Sequence, residues 1–154
     1  MTRINTLPDV ADITYSPLAG INNGFFYLPD ISPQTVSVVS GVNYLSVNDL
    51  TGYSAIAYLF DGCGGASLGQ LTSSANQLKF FTSPSETFDV EDRMTGIVTS
   101  YTAINPQGVE FAITPTMLQG FTWTEAYYVM VLIAPSGVIS PFLRGSLKPM
   151  ECSC

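Results

Sequence analysis

The chain has 154 residues, of which 46% are hydrophobic and 11% are charged, and its formal net charge is −7. The acidic balance excludes a basic footprint for nucleic acid and argues against an anionic membrane surface. The chain contains no histidine, which removes Ser-His and Cys-His nucleophile pairs, histidine metal ligands and the usual neutral-pH general base. We therefore expect one domain that is a structural or binding protein, with no enzymatic activity and no cofactor.

The first 34 residues differ in composition from the rest of the chain. Four of the ten prolines lie here, at positions 8, 17, 29 and 33, between short apolar patches. Proline disfavours helix and central strand, so we predict an extended N-terminal arm over 1–34. An apolar arm is ordered by lying on its own domain or on a neighbouring subunit. The candidate assembly contacts are Ile4, Leu7, Val10, Ile13, Phe25 and Phe26.

We predict a domain built from successive strands over residues 35–149, followed by a short C-terminal tail over 150–154. Most segments are rich in Val, Ile, Thr, Tyr and Phe, and 96–103 alternates with period two, which indicates strand. This pattern predicts an all-β antiparallel sandwich, immunoglobulin-like or jelly-roll-like. The predicted strands are 35–42, 44–47, 53–60, 77–81, 95–103, 109–114, 125–134 and 138–147.

Two local motifs are sharper than the rest. Thr114 followed by Pro115, with Gly120 six residues after the threonine, predicts a single helical turn. Pro135-Ser136-Gly137 predicts a tight turn between the last two strands. The strand that precedes this turn is apolar on both faces. We therefore expect it to be central, covered by the other sheet on one side and by a subunit or the arm on the other.

Low charge also bears on the partners. Soluble domains average about 25% charged residues, and a charge-poor surface is typical of a permanently assembled subunit. A secreted β-domain with an uncharged surface is the alternative. The three cysteines, Cys63, Cys152 and Cys154, do not form a secreted disulfide framework. We therefore expect assembly in a reducing cytoplasm.

No residue set predicts catalysis or metal binding. Cys63 lies in a glycine-rich loop but has no activating base. The acidic cluster Glu86, Asp89, Glu91 and Asp92 does not fit an EF-hand loop, although a cation there stays open; a solvated loop, or one paired with Arg93, is the preferred interpretation. Trp123 precedes a core strand and is expected to be buried rather than to serve as a sugar-stacking platform.

Several segments resemble β-sandwich modules of tailed-phage virions, which occur in baseplate and tail-fibre attachment proteins. The segments are 49–55 (DLTGYSA), 111–118 (FAITPTML), 127–132 (YYVMVL), 135–137 (PSG) and 142–147 (FLRGSL). The resemblance covers about residues 45–148. It implies an immunoglobulin-like fold, a role in virion architecture, and a buried pairing role for Arg144.

Within that class, a small β-domain with an extended arm is similar to the capsid cement (decoration) proteins. The resemblance implies a virion location, the major capsid protein as partner, and a homo-oligomer, with a trimer favoured. From the acidic composition we expect neither nucleic acid nor a membrane as partner. A baseplate or tail-fibre adaptor is the alternative within the class, and a carbohydrate-binding module is the alternative outside it.

Overall fold

The computed structural model describes residues 9–27, 36–62, 64–91 and 94–150, and in them the protein is an all-β sandwich. Ile4, Leu7, Cys63, Asp92, Arg93, Cys152 and Cys154 lie outside the described residues. The strands are β1 (Asp9–Val10), β2 (Ile13–Tyr15), β3 (Gly24–Phe26), β4 (Val36–Val39), β5 (Val42–Leu45), β6 (Ser54–Phe60), β7 (Ser67–Thr72), β8 (Leu78–Thr82), β9 (Glu86–Glu91), β10 (Val98–Ala103), β11 (Gln107–Phe111), β12 (Ala126–Ile133) and β13 (Ile139–Pro149), and the helix is α1 (Pro115–Gly120).

The largest sheet has the strand order β1-β13-β12-β6-β7, and β2 pairs with the far end of β13. We call it the main sheet. Strands β6, β12 and β13 are antiparallel, whereas β1 and β2 run parallel to β13. The inward side chains of the main sheet pack against the sheet β3-β11-β8. The Phe111 and Tyr128 rings meet edge to face across this core, with centroids 5.3 Å apart.

A third sheet, of order β4-β5-β10-β9, adds a smaller core. Its buried members are Phe26, Leu45, Phe88 and Ala103. Phe26 comes from β3, so this small core joins the third sheet to the body of the sandwich.

The described part of the predicted arm lies on its own domain. Strands β1 and β2 extend the edge of the main sheet, and β3 pairs with β11. Asp12 adds two contacts, because its carboxylate accepts hydrogen bonds from the Ser146 amide and hydroxyl, at 3.0 and 3.1 Å. Gly145 permits this close approach: a Cβ there would lie 2.1 Å from the Ala11 carbonyl oxygen.

The helical turn and the final turn are both confirmed. The Thr114 hydroxyl caps α1 by accepting a hydrogen bond from the Met117 amide at 3.2 Å, and Pro115 is the first residue of the helix. The Gly137 amide donates to the Ala134 carbonyl at 2.8 Å, which closes the turn between β12 and β13. In the part of the chain that the structure describes, no helix is long and apolar enough to cross a membrane.

The predicted strand over 35–42 is wrong in one respect, because the chain reverses inside it. Ser40 and Gly41 have φ values of +52° and +80°, the left-handed pair of a type I′ hairpin turn. The segment therefore forms β4, the turn and the start of β5. The acidic segment predicted as a loop is also a strand, β9, which pairs with β10.

Candidate functional site

The side of the main sheet that faces away from the core is apolar along its central strand, β12. Along β12, Ala126, Tyr128, Met130 and Leu132 are buried, and the alternate residues Tyr127, Val129, Val131 and Ile133 are half-buried. In an antiparallel sandwich the outward positions are normally polar. Here they carry aromatic and β-branched side chains instead.

The strands on either side of β12 continue this surface. Val129 pairs with Tyr58 of β6 and with Arg144 of β13, and Val131 pairs with Ile56 and Pro141. Paired residues project to the same side of a sheet. We define the outward face as Ile56, Tyr58, Phe60, Tyr127, Val129, Val131, Ile133, Ile139, Pro141 and Arg144. Three strands of about seven residues cover roughly 300 Å², and apolar patches of this size on monomers are often functional.

A groove of about 530 Å³ lies in the outward face. Phe60, Tyr127, Val129 and Pro141 supply its apolar lining, together with Gly64, Gly65 and Arg144. Within the described ranges the Arg144 guanidinium makes no hydrogen bond and no ion pair, and the side chain is exposed. The groove thus combines apolar walls with one unpaired positive charge.

The position of Arg144 corrects the buried pairing role that the resemblance implies. Its neighbours Leu143 and Gly145 are buried, and Leu147 continues the inward series along β13. Alternation along the strand therefore directs Arg144 outward, away from the core. The side chain faces solvent, and it is available to a partner.

A second, more polar concavity of about 200 Å³ adjoins the groove and shares Tyr127 with it. Its charged lining residues are Asp61, Glu125 and Lys148, and Ser146 adds a hydroxyl. Two carboxylates, one ammonium group and a tyrosine ring side by side are suited to hydrogen-bonding a polar ligand.

The free end of the third sheet carries another apolar patch. Strands β5 and β10 are parallel, so the β4–β5 turn and the β9–β10 connection lie at the same end of the sheet. Six large hydrophobic side chains there are 40–93% exposed. We define the β-tip as Val38, Val39, Val42, Met94, Ile97 and Val98.

The acidic residues of β9 lie beside this patch. Glu91 is exposed and pairs in register with Val98 at the β-tip, whereas Asp89 accepts a hydrogen bond from the Ser100 hydroxyl at 2.6 Å. Among the described residues no group of three potential ligands could hold a metal ion. The Glu91 carboxylate thus lies on the strand position opposite the exposed Val98 of the β-tip.

Four of the six predicted assembly contacts lie in the described part of the chain, namely Val10, Ile13, Phe25 and Phe26, and these four do not lie together on one surface. Ile13 and Phe26 are 3% and 9% exposed and pack in the protein's own cores. Phe25 is half-buried against the main core, and Val10 is exposed, at 45%. Their apolar character reflects folding of the N-terminal segment onto the sandwich.

The outward face has one signal in the sequence, the apolar character of both faces of β12. The contributions of Tyr58, Phe60 and Pro141 to the same surface depend on register, which the sequence does not reveal. Trp123 is buried, as predicted, at 8% exposure and stacked on Phe121 with centroids 5.0 Å apart. It therefore does not supply an exposed stacking platform.

Comparison of the chain with protein-family models, with curated proteins and with solved structures finds no match.

Proposed function

We propose that the protein is a non-enzymatic structural subunit of a tailed-phage virion, and specifically a capsid cement (decoration) protein that binds the major capsid protein. The observation that carries the proposal is the apolar outward face of the main sheet. Strands β1 and β2, which the arm contributes, extend the edge of this sheet beside β13 and do not cover the face.

The free-energy cost of exposing apolar side chains to water favours permanent coverage of this face. Removing apolar surface from water contributes about 25 cal/mol per Å² to the free energy of association. Association entropy offsets part of this gain.

Two separate apolar surfaces favour the cement role over a tail adaptor. The outward face and the β-tip lie on different sheets, so one protomer has two contact surfaces. Two such surfaces allow one protomer to contact two neighbouring copies, as a subunit that coats a shell in many copies does. A baseplate or tail-fibre adaptor is the runner-up.

Copy number in purified particles tests this proposal. Quantitative mass spectrometry of virions should find the chain at hundreds of copies per particle, whereas a tail adaptor would give a few to dozens. Absence from purified virions would overturn the structural role itself.

Reconstitution tests the surface. The wild-type protein should co-sediment with particles that lack it, and Val131→Asp should reduce this binding because it places a charge in the centre of the outward face. Thr116→Asp, at an exposed position on α1, is the matched control and should bind normally. Equal binding by both variants would show that the outward face is not the contact.

The polar concavity beside Tyr127 favours a second candidate, a carbohydrate-binding module. Asp61, Glu125 and Lys148 present the hydrogen-bonding groups that sugar hydroxyls require. Glycan-array binding that is lost in Asp61→Asn would support it. An array without signal, together with virion incorporation, would reject it.

A further inference from the structure

We propose that the β-tip of one copy docks in the groove of the outward face of a second copy, and that Glu91 of the first copy pairs with Arg144 of the second. The proposal rests on the assembled-subunit function above and names the self-contact that the assembly uses.

The groove supplies the receiving half of this contact. Its lining includes Phe60, Tyr127 and Val129, which are half-buried, so it offers apolar surface that is already partly ordered. The Arg144 guanidinium lies in the same groove without a partner among the described residues. An apolar insert with one carboxylate satisfies both features, because desolvated guanidinium groups require an anionic partner.

The β-tip is such an insert. Val38, Met94 and Ile97 are 66%, 93% and 62% exposed, so the tip projects aliphatic side chains into solvent. Glu91 follows β9 to the same end and lies opposite Val98. The tip therefore has the same hydrophobic character as the groove and the opposite charge.

The size of the two surfaces fits a specific contact. Six aliphatic side chains with roughly 100 Å² exposed on each offer about 600 Å² on the tip, and with the groove the buried area approaches about 1,000 Å². This value lies at the lower end of specific interfaces. It suits a contact that many copies in one lattice reinforce.

Geometry determines the kind of symmetry. The tip and the groove are different patches, so the contact is heterologous, and each copy keeps one free tip and one free groove until a ring closes. A closed ring is compatible with the trimer that the resemblance to cement proteins implies. An isologous pairing of two outward faces would leave Glu91 uninvolved.

Charge-reversal variants test the pairing of Glu91 with Arg144. Their self-association is measured by sedimentation velocity over a concentration series. Wild type should self-associate. Arg144→Glu and Glu91→Arg should each raise the dissociation constant by at least roughly 30-fold, because each places like charges opposite one another in a desolvated contact. The double variant should recover association, and an equimolar mixture of the two single variants should co-assemble.

Two controls carry the same charge changes elsewhere. Lys79→Glu changes an exposed cation on β8, and Glu86→Arg changes an acid at the other end of β9. Both should associate like wild type. Both test residues are exposed, so circular dichroism and melting temperature of the single variants should match wild type.

Any of three results would overturn the inference. The wild-type chain could stay monomeric at every concentration, the double variant could fail to recover self-association, or Lys79→Glu could weaken self-association as much as Arg144→Glu does. Loss of association in Arg144→Glu alone would indicate the isologous alternative. Virion content is measured separately. If the chain is present in virions and the Arg144→Glu variant self-associates like wild type, the proposed contact is rejected and the structural role stands.

Discussion

The Tyr128 hydroxyl donates a buried hydrogen bond of 2.7 Å to the carbonyl of Ala11, between β1 and β2. Tyr128 belongs to the central strand β12, and its ring packs edge to face on Phe111 of β11. The Ala11 amide in turn donates to the Arg144 carbonyl at 2.8 Å. One tyrosine thus joins the N-terminal segment, the main sheet and the opposing sheet.

Removing this hydroxyl should weaken the whole domain. Tyr128→Phe leaves the Ala11 carbonyl with one partner fewer in a dry site, and we expect a loss of about 1–3 kcal/mol in the free energy of unfolding. Urea denaturation measures it. Tyr58→Phe, on the outward face at 38% exposure, is the control and should stay within about 0.5 kcal/mol of wild type. Equal values for the two variants would contradict the role of the Tyr128 hydrogen bond.

We expect buried side chains of the N-terminal segment to contribute to the stability of the domain as core residues do. Ile13 is 3% exposed, so Ile13→Ala should cost about 2–5 kcal/mol of stability through lost burial and a residual cavity. Val10 is 45% exposed, and Val10→Ala should change stability by less than about 0.5 kcal/mol. Thermal melting distinguishes them. A small effect at Ile13 would mean that the segment is only loosely attached.

Adjacent residues of β12 should separate folding from assembly. Met130 is fully buried, so Met130→Asp should prevent folding, because it places an unpaired charge in the core. Val131 is half-buried on the outward face, and Val131→Asp should fold while losing self-association. Circular dichroism and sedimentation velocity give the two readouts. Unfolding of both variants would show that the outward face belongs to the protein's own core.

We expect ionisation of Tyr15 to lower the free energy of unfolding at high pH. Burial raises the pKa of the Tyr15 phenol, with a smaller contribution from the Glu125 carboxylate, and the hydroxyl donates to the Thr124 carbonyl. The folded pKa lies above the unfolded one, so the unfolded chain releases the proton first. This contribution is complete below about pH 10 and is lost as the pH rises above it.

The measurement is the free energy of unfolding in urea from pH 8 to pH 11. Wild type should decline more steeply above pH 10 than Tyr15→Phe, although the variant starts lower because it lacks the hydrogen bond. Parallel curves would contradict a raised pKa for Tyr15.

Local chemistry was readable from the sequence where one short segment contains every determinant. The cap, proline and length of α1 lie within seven residues, and the last turn needs only Pro135 and Gly137 beside two apolar runs. The β4–β5 hairpin was missed because Ser40-Gly41 is a weak turn signal inside an apolar run. Only the cross-strand register, with Val39 opposite Val42, reveals the reversal.

Pairing across long distances in the chain explains the remaining differences. The sequence of β7, SLGQLT, has little strand character, and it forms because β6 supplies the ladder. Strand β9 carries three acids and is likewise held by β10. The candidate site follows the same rule. The sequence shows that β12 is apolar on both faces. The groove also requires Phe60 and Arg144 beside β12, and only the register of β12 with β6 and β13 places them there.

The pairing of β1 and β2 with β13 also constrains the time course of synthesis. The two strands near the start of the chain pair with the last strand that the structure describes, at Leu143 and at Leu147. A ribosome makes roughly 5–20 residues per second, so the early strands wait unpaired for many seconds. During that interval Ile13 and Tyr15, both destined for the core, are available to other nascent chains. The edge of the main sheet is therefore completed only after β13 has been synthesised, and abundant expression depends on how the unpaired strands are protected during that interval.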